Sequence, residues 1–165
     1  MTIQMTGADV IDLAVQTELQ GERFYRAAAA AATAPEGRRL FAFLAAEETR
    51  HRATFEGLAA SIVTATIDPT TWAEAIGYIE ATVDRAFFSG RRSPLREIAQ
   101  GASEADMIRQ AIAFEKETLL FFVGLRDLVQ PANQPLIDAI IREERQHIVR
   151  LAGMLSAPRP AERNV

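Results

Sequence analysis

Glu47-Glu48-Thr49-Arg50-His51 is echoed near the other end of the chain by Glu143-Glu144-Arg145-Gln146-His147, and these two phrases hold both histidines. On a helix Glu48 and His51 leave one face a turn apart, and so do Glu144 and His147. A carboxylate and an imidazole so placed can close on one metal ion. Two copies imply two ions, or one site assembled from two halves.

Outward from each phrase the apolar residues keep helical spacing. One stripe reads Leu40, Leu44, Glu48, His51, Phe55, Leu58, Ile62, and a second reads Ile137, Ile140, Glu144, His147, Leu151, Met154. Two others carry a carboxylate without a histidine: Ile11, Ala14, Glu18, Gly21, Tyr25, and Ile108, Ala111, Glu115, Thr118, Phe122, Leu125, Val129. All four are amphipathic helices whose buried face is interrupted midway by an acid. An unpaired carboxylate in an apolar core costs several kcal/mol, and four together repel one another. The stripes contain no Lys or Arg to form a buried salt-bridge network. Two divalent cations would neutralise four carboxylates, with two neutral imidazoles completing the shell. One Glu from each of two helices, plus Glu-x-x-His from each of the other two, is the ligand set of a di-metal carboxylate site.

Punctuation separates the helices. The first is expected from Thr6-Gly7-Ala8-Asp9 to about Ala32, and Thr33-Ala34-Pro35-Glu36 opens the second, which runs to roughly Thr64. Asp68-Pro69 starts a third helix through Tyr78 to Phe88, closed by Ser89-Gly90. A connector over 91–101 holds one short turn after Pro94. Ser103-Glu104-Ala105-Asp106 caps the next helix, expected to end near Gln130-Pro131, and Asn133-Gln134-Pro135 opens the last. The fold class is therefore all-α: a four-helix bundle of two antiparallel helix hairpins, with an additional helix in the crossover between them. The expected layout is one domain over residues 1–157, its crossover at 65–102, and a flexible tail at 158–165 after Ala157-Pro158. Sliding the chain along itself supports the paired hairpins. Glu48 and His51 fall on Glu144 and His147; one residue further, Ala14, Glu18, Phe24 and Tyr25 fall on Ala111, Glu115, Phe121 and Phe122.

Composition narrows the chemistry. With 48% hydrophobic and 24% charged residues, 165 residues can bury a substantial core. A net charge of −4 and no basic patch argue against nucleic acid as a partner. Neither a signal peptide nor a membrane-length apolar run is read, so the expected location is the cytoplasm, with no membrane partner. The absence of cysteine removes thiolate zinc, iron–sulfur and rubredoxin-type centres, leaving oxygen and nitrogen ligands for any metal.

These motifs resemble the ferritin-like di-iron carboxylate superfamily, and most of all its rubrerythrin-like branch. The matching residues are Glu18 with Tyr25, Glu48-x-x-His51, Glu115 with Phe121-Phe122, and Glu144-x-x-His147, over roughly residues 8–155. The resemblance implies that Glu18, Glu48 and His51 bind mostly one iron and Glu115, Glu144 and His147 the other, with Glu48 and Glu144 bridging. Tyr25 is implied as a hydrogen-bonding or redox-active phenol near the metals, beside its ordinary reading as a packed aromatic. Glu22, four residues after Glu18, is an additional candidate ligand; more often such a residue is solvated or orients a ligand. Asp12, Asp84, Asp127 and Asp138 are candidates to orient the histidines. Glu47, Glu117 and Glu143 lie off the stripes and read as surface or helix-pairing charges. Trp72 is expected to anchor the crossover helix.

Two departures from the resemblance matter. A rubrerythrin usually carries a rubredoxin domain, which a cysteine-free chain cannot provide. Its second Glu, one turn after the third-helix ligand, is replaced here by Thr118. Carboxylate-rich sites with one imidazole per metal suit two iron ions, with manganese or zinc as substitutes. The expected activity is reduction of hydrogen peroxide or dioxygen, with an external electron-donor protein or small reductant, in a homodimer. The rival expectation is a ferroxidase or iron-storage protein of ferritin or bacterioferritin type.

Overall fold

Pro35 and Pro69 stand at the first positions of two helices, where a missing N–H and a fixed φ cost nothing. A computed structural model describes residues 7–63, 68–82, 98 and 101–156, which form five helices and no strand. They are α1 (Gly7–Ala31), α2 (Pro35–Val63), α3 (Pro69–Thr82), α4 (Glu104–Arg126) and α5 (Gln134–Ser156). The expectations for the first helix's capping residue Thr6, for Thr64, for the third helix beyond Thr82, for the turn after Pro94, for Asp84 and for the tail lie outside these residues.

Local chemistry sets the ends. Asp68 caps α3 by accepting from the backbone N–H groups of Thr70 and Thr71, at 3.1 and 3.0 Å. Ser103 and Asp106 form a reciprocal capping box at α4, preceded by Gly101 at φ +83°, a conformation that favours glycine. The α4 end differs from expectation: the helix stops at Arg126, not near Gln130. Its stop is a tightened turn, with Asp127 N–H reaching Gly124 and Leu125 oxygens and Leu128 N–H reaching Leu125. Leu128 and Val129 then fold back into the core, so the apolar pattern outlasts the helix that began it.

α1 packs chiefly on α2, and α4 on α5, giving two hairpins; α3 lies on α4. The α3–α4 approach is close at Gly124, where a Cβ would stand 2.7 Å from the Tyr78 ring and 2.8 Å from Ile79. Trp72 is partly buried and packs, with Tyr78, against the same core as Ala75, Ile76 and Ile79.

That core has two apolar layers. One holds Ile11, Ala14, Phe55, Phe122, Leu125, Ile137 and Ile140; the other holds Tyr25, Phe41, Leu44, Ile108, Ala111 and Leu151. Along each long helix the acid of the stripe falls between the two layers. The layers also order the strokes of the bundle: α1 and α5 run from the first layer to the second, α2 and α4 the opposite way. The connection from α2 to α4 therefore joins parallel helices and must cross the length of the bundle; α3 itself packs on the first layer, through Ala75, Ile76 and Ile79.

Candidate metal centre

Between the layers, Glu18 from α1, Glu48 and His51 from α2, Glu115 from α4 and Glu144 and His147 from α5 converge, none more than 2% exposed. Their ligand atoms form two groups, each with its atoms within 4.8 Å of one another. One comprises Glu18, Glu48, His51 and Glu144; the other comprises Glu48, Glu115, Glu144 and His147. Glu48 and Glu144 belong to both, the position a bridging carboxylate requires.

Both imidazoles turn Nδ1 inward. His51 Nδ1 lies 2.8 Å from Glu144 Oε1, and His147 Nδ1 lies 3.1 Å from Glu144 Oε2 and 3.4 Å from Glu115 Oε1. The two rings stack with centroids 5.8 Å apart. Space for the Glu48 carboxylate comes from α1: a Cβ on Gly21 would stand 2.8 Å from Glu48 Oε2.

The electrostatics are those of a site that holds protons where cations would go. Burial, with the neighbouring carboxylates, pushes Glu18, Glu48 and Glu115 well above the usual carboxylate range. Burial opposes ionising Glu144 as well, but hydrogen bonds from the Glu115 carboxyl, His147 and His51 outweigh it and hold Glu144 low. Desolvation likewise opposes charging the histidines. Bonds and attraction to Glu144 and Glu48 raise His51 to about 9 despite it, and Glu115 and Glu144 raise His147 to about 11.

Even so, many donor atoms remain orphaned. Both oxygens of Glu18 and of Glu48 are buried without a hydrogen-bond partner among the described residues. Each such atom costs about 1–3 kcal/mol, and a folded chain does not gather them without a common partner. Divalent cations satisfy them all, and the carboxylate–imidazole set fits iron or manganese.

Around this shell the sequence-derived candidates divide. Tyr25 is wholly buried and donates its hydroxyl to Glu115 Oε1, and burial beside Glu115, Glu48 and Glu144 keeps the phenol protonated. Glu22 is buried but outside both groups: its carboxylate pairs with Arg26 at 2.7 Å and faces Arg52 at 3.5 Å. Those arginines lie off the stripes, and long side chains carry their charge back to the helix face. Of the aspartates expected to orient histidines, Asp12 is exposed, and Asp127 and Asp138 pair with Arg126. The residue that does so is Glu143, which accepts from His51 Nε2 at 2.8 Å and from Arg50 at 2.9 Å. Glu47 pairs with the same Arg50 at 2.7 Å. The signal in the sequence is the repeated Glu-Glu pair, and of the two readings of its first member, surface or helix-pairing charge, Glu143 takes the second by reaching Arg50 and His51 on α2.

Comparison with known proteins agrees with this geometry. The family model for rubrerythrin matches residues 9–155. No curated protein matches the chain. Among solved structures, a Thermotoga maritima protein described as a ferritin-like diiron-carboxylate protein is 22% identical and superposes with a TM-score of 0.65. The match covers 92% of this chain and 95% of that one, and at this identity it shows the ferritin-like fold. No described helix is long and apolar enough to cross a membrane.

Proposed function

The chain belongs to the rubrerythrin family, and from that membership we propose that it is a di-iron oxidoreductase reducing hydrogen peroxide or dioxygen with electrons from outside the chain. The observation that carries this reading is the paired set of buried carboxylate and imidazole groups sharing Glu48 and Glu144, with the Glu18 and Glu48 oxygens orphaned among the described residues. Glu18, Glu48 and His51 would hold one ion, and Glu115, Glu144 and His147 the other. When bound, two iron ions would supply the two electrons needed to reduce one peroxide to two waters.

The chain's own residues do the rest. Tyr25 fixes Glu115 by its hydroxyl, and Glu143 fixes His51 from the outer side. The protons held by Glu18, Glu48, Glu115 and both histidines must leave as cations enter, so loading is coupled to pH. The apolar layers above and below keep bulk water from the centre. These 165 residues contain no cysteine for a rubredoxin-type centre, and the proposed electron donor is a separate protein or a small reductant. A homodimer is the proposed assembly.

Anaerobic loading of the chelated chain with ferrous iron, followed by mixing with peroxide or with dioxygen, tests the reading. Two irons per chain, oxidised much faster by peroxide than by dioxygen and returned to ferrous by an added reductant, are expected. A large shell on gel filtration that accumulates iron far beyond two per chain would instead establish storage, the rival function.

A further inference from the structure

Thr118 is fully buried, and its hydroxyl has no hydrogen-bond partner among the described residues. Helical threonines ordinarily settle this locally by donating to the carbonyl four residues back. Thr17, Thr49 and Thr54 all do so, at 2.8, 3.0 and 3.1 Å. Thr118 does not, although it sits mid-helix in α4.

Its position says what the hydroxyl faces. Thr118 follows Glu115 by one turn on the same face of α4, the face that carries the centre. The internal repeat that superposes Glu18 on Glu115 also superposes Gly21 on Thr118. At Gly21 an added Cβ would stand 2.8 Å from Glu48 Oε2 and 3.1 Å from its carboxyl carbon, so this helical position looks directly onto a shared carboxylate. Glu144 is the repeat partner of Glu48. One half of the bundle thus leaves the position bare, and the other fills it with a hydroxyl that nothing in the described chain satisfies.

We propose that the Thr118 hydroxyl is the hydrogen-bond partner of the small oxygen species held at the centre, and so positions the oxidant. This rests on the di-iron reading above. A hydroxyl is neutral at working pH and does not replace a carboxylate ligand; it can donate to an anionic oxygen and accept from a protonated one. That pair of capacities suits peroxide, whose two oxygens differ in protonation as it is reduced.

The test uses the full chain loaded with iron and oxidised, as wild type, Thr118→Val and Thr118→Ser, with azide as an oxidant-sized anionic probe read by its charge-transfer absorbance. Val keeps the shape and removes the hydroxyl; Ser keeps the hydroxyl. All three should hold two irons per chain. Azide should bind Thr118→Val roughly tenfold more weakly, the loss of one hydrogen bond to an anion, and Thr118→Ser within about threefold of wild type. The chelated Thr118→Val chain should melt no lower than wild type, because it no longer buries an unpaired hydroxyl. Unchanged azide affinity in a Thr118→Val chain that holds two irons overturns the role of Thr118 and leaves the di-iron reading intact. Loss of iron from Thr118→Val also overturns it, by making the residue a support of the ligands. A wild type that cannot hold two irons overturns both readings.

Discussion

Two residues outside the six proposed ligands, Glu143 and Gly21, are placed to influence how those ligands bind. His51 Nε2 is held by Glu143, whereas His147 Nε2 is buried without a hydrogen-bond partner among the described residues, so the two imidazoles are not equally anchored there. Glu143→Ala should weaken binding of one ion by roughly 10–100-fold, the usual cost of losing a residue that orients a metal ligand. Calorimetric titration with Mn²⁺ checks this, and two unchanged sites would refute it. Gly21→Ala separates stability from site geometry. Alanine favours a helix by about 1 kcal/mol over glycine, yet its Cβ would press on the Glu48 carboxylate. Without metal, Glu48 can move aside, but the buried Phe114 ring 3.0 Å from that Cβ must also give, so denaturant unfolding should show a loss of no more than about 1–3 kcal/mol; with metal, Glu48 is displaced and affinity should fall at least tenfold. The six converging residues were legible in sequence because an acid breaking an apolar stripe needs a reason on its own helix. Glu143 was not, because its partner His51 lies on another helix and the pairing depends on how α2 meets α5. Glu22 was misleading for a related cause: Arg26 and Arg52 reach it from off the stripe.

At the scale of the helices, the register of each was readable from the 3.6-residue period, and the starts from Pro35, Asp68-Pro69 and Ser103. The end of α4 was not. Leu128 and Val129 continue the apolar spacing and are buried, but they reach the core from a turn. Periodicity reports which residues are inside, not which backbone carries them there. The seating of α3 depends on the bare surface at Gly124. Gly124→Val should force Tyr78 and Ile79 outward and cost about 1–3 kcal/mol in urea unfolding. It should leave metal stoichiometry intact, since neither side chain touches the centre. Simultaneous loss of metal would show that α3 supports the site as well as the bundle.

At the scale of the whole molecule, burial and mutual hydrogen bonding favour the protonated forms of Glu18, Glu48, Glu115 and both histidines, and this fixes the sign of the pH dependence. His51 titrates near 9 in the folded chain against an ordinary 6.5, and His147 near 11. Between those values the folded state keeps protons that the unfolded state has lost. The stability they contribute is complete below about pH 6.5 and is lost as pH rises through 9 and beyond, on the order of 3 kcal/mol for His51 alone. The raised Glu18, Glu48 and Glu115 add to the same slope. Glu144, held low, acts with the opposite sign only below its ordinary range. The chelated chain should therefore melt lower at pH 9 than at pH 6.5, and saturating Mn²⁺ should abolish the difference by displacing the protons. An upward shift in melting temperature with pH in the chelated chain would contradict this charge arrangement.

The most direct measurement is an anaerobic titration of the chelated wild type and of Glu144→Ala with ferrous iron, counting ions bound per chain. Glu144 lies in both ligand groups. Wild type should bind two ions, and Glu144→Ala should bind neither with wild-type affinity, because one carboxylate serves both halves. Two ions bound as tightly by Glu144→Ala as by wild type would contradict a single centre shared between the hairpins.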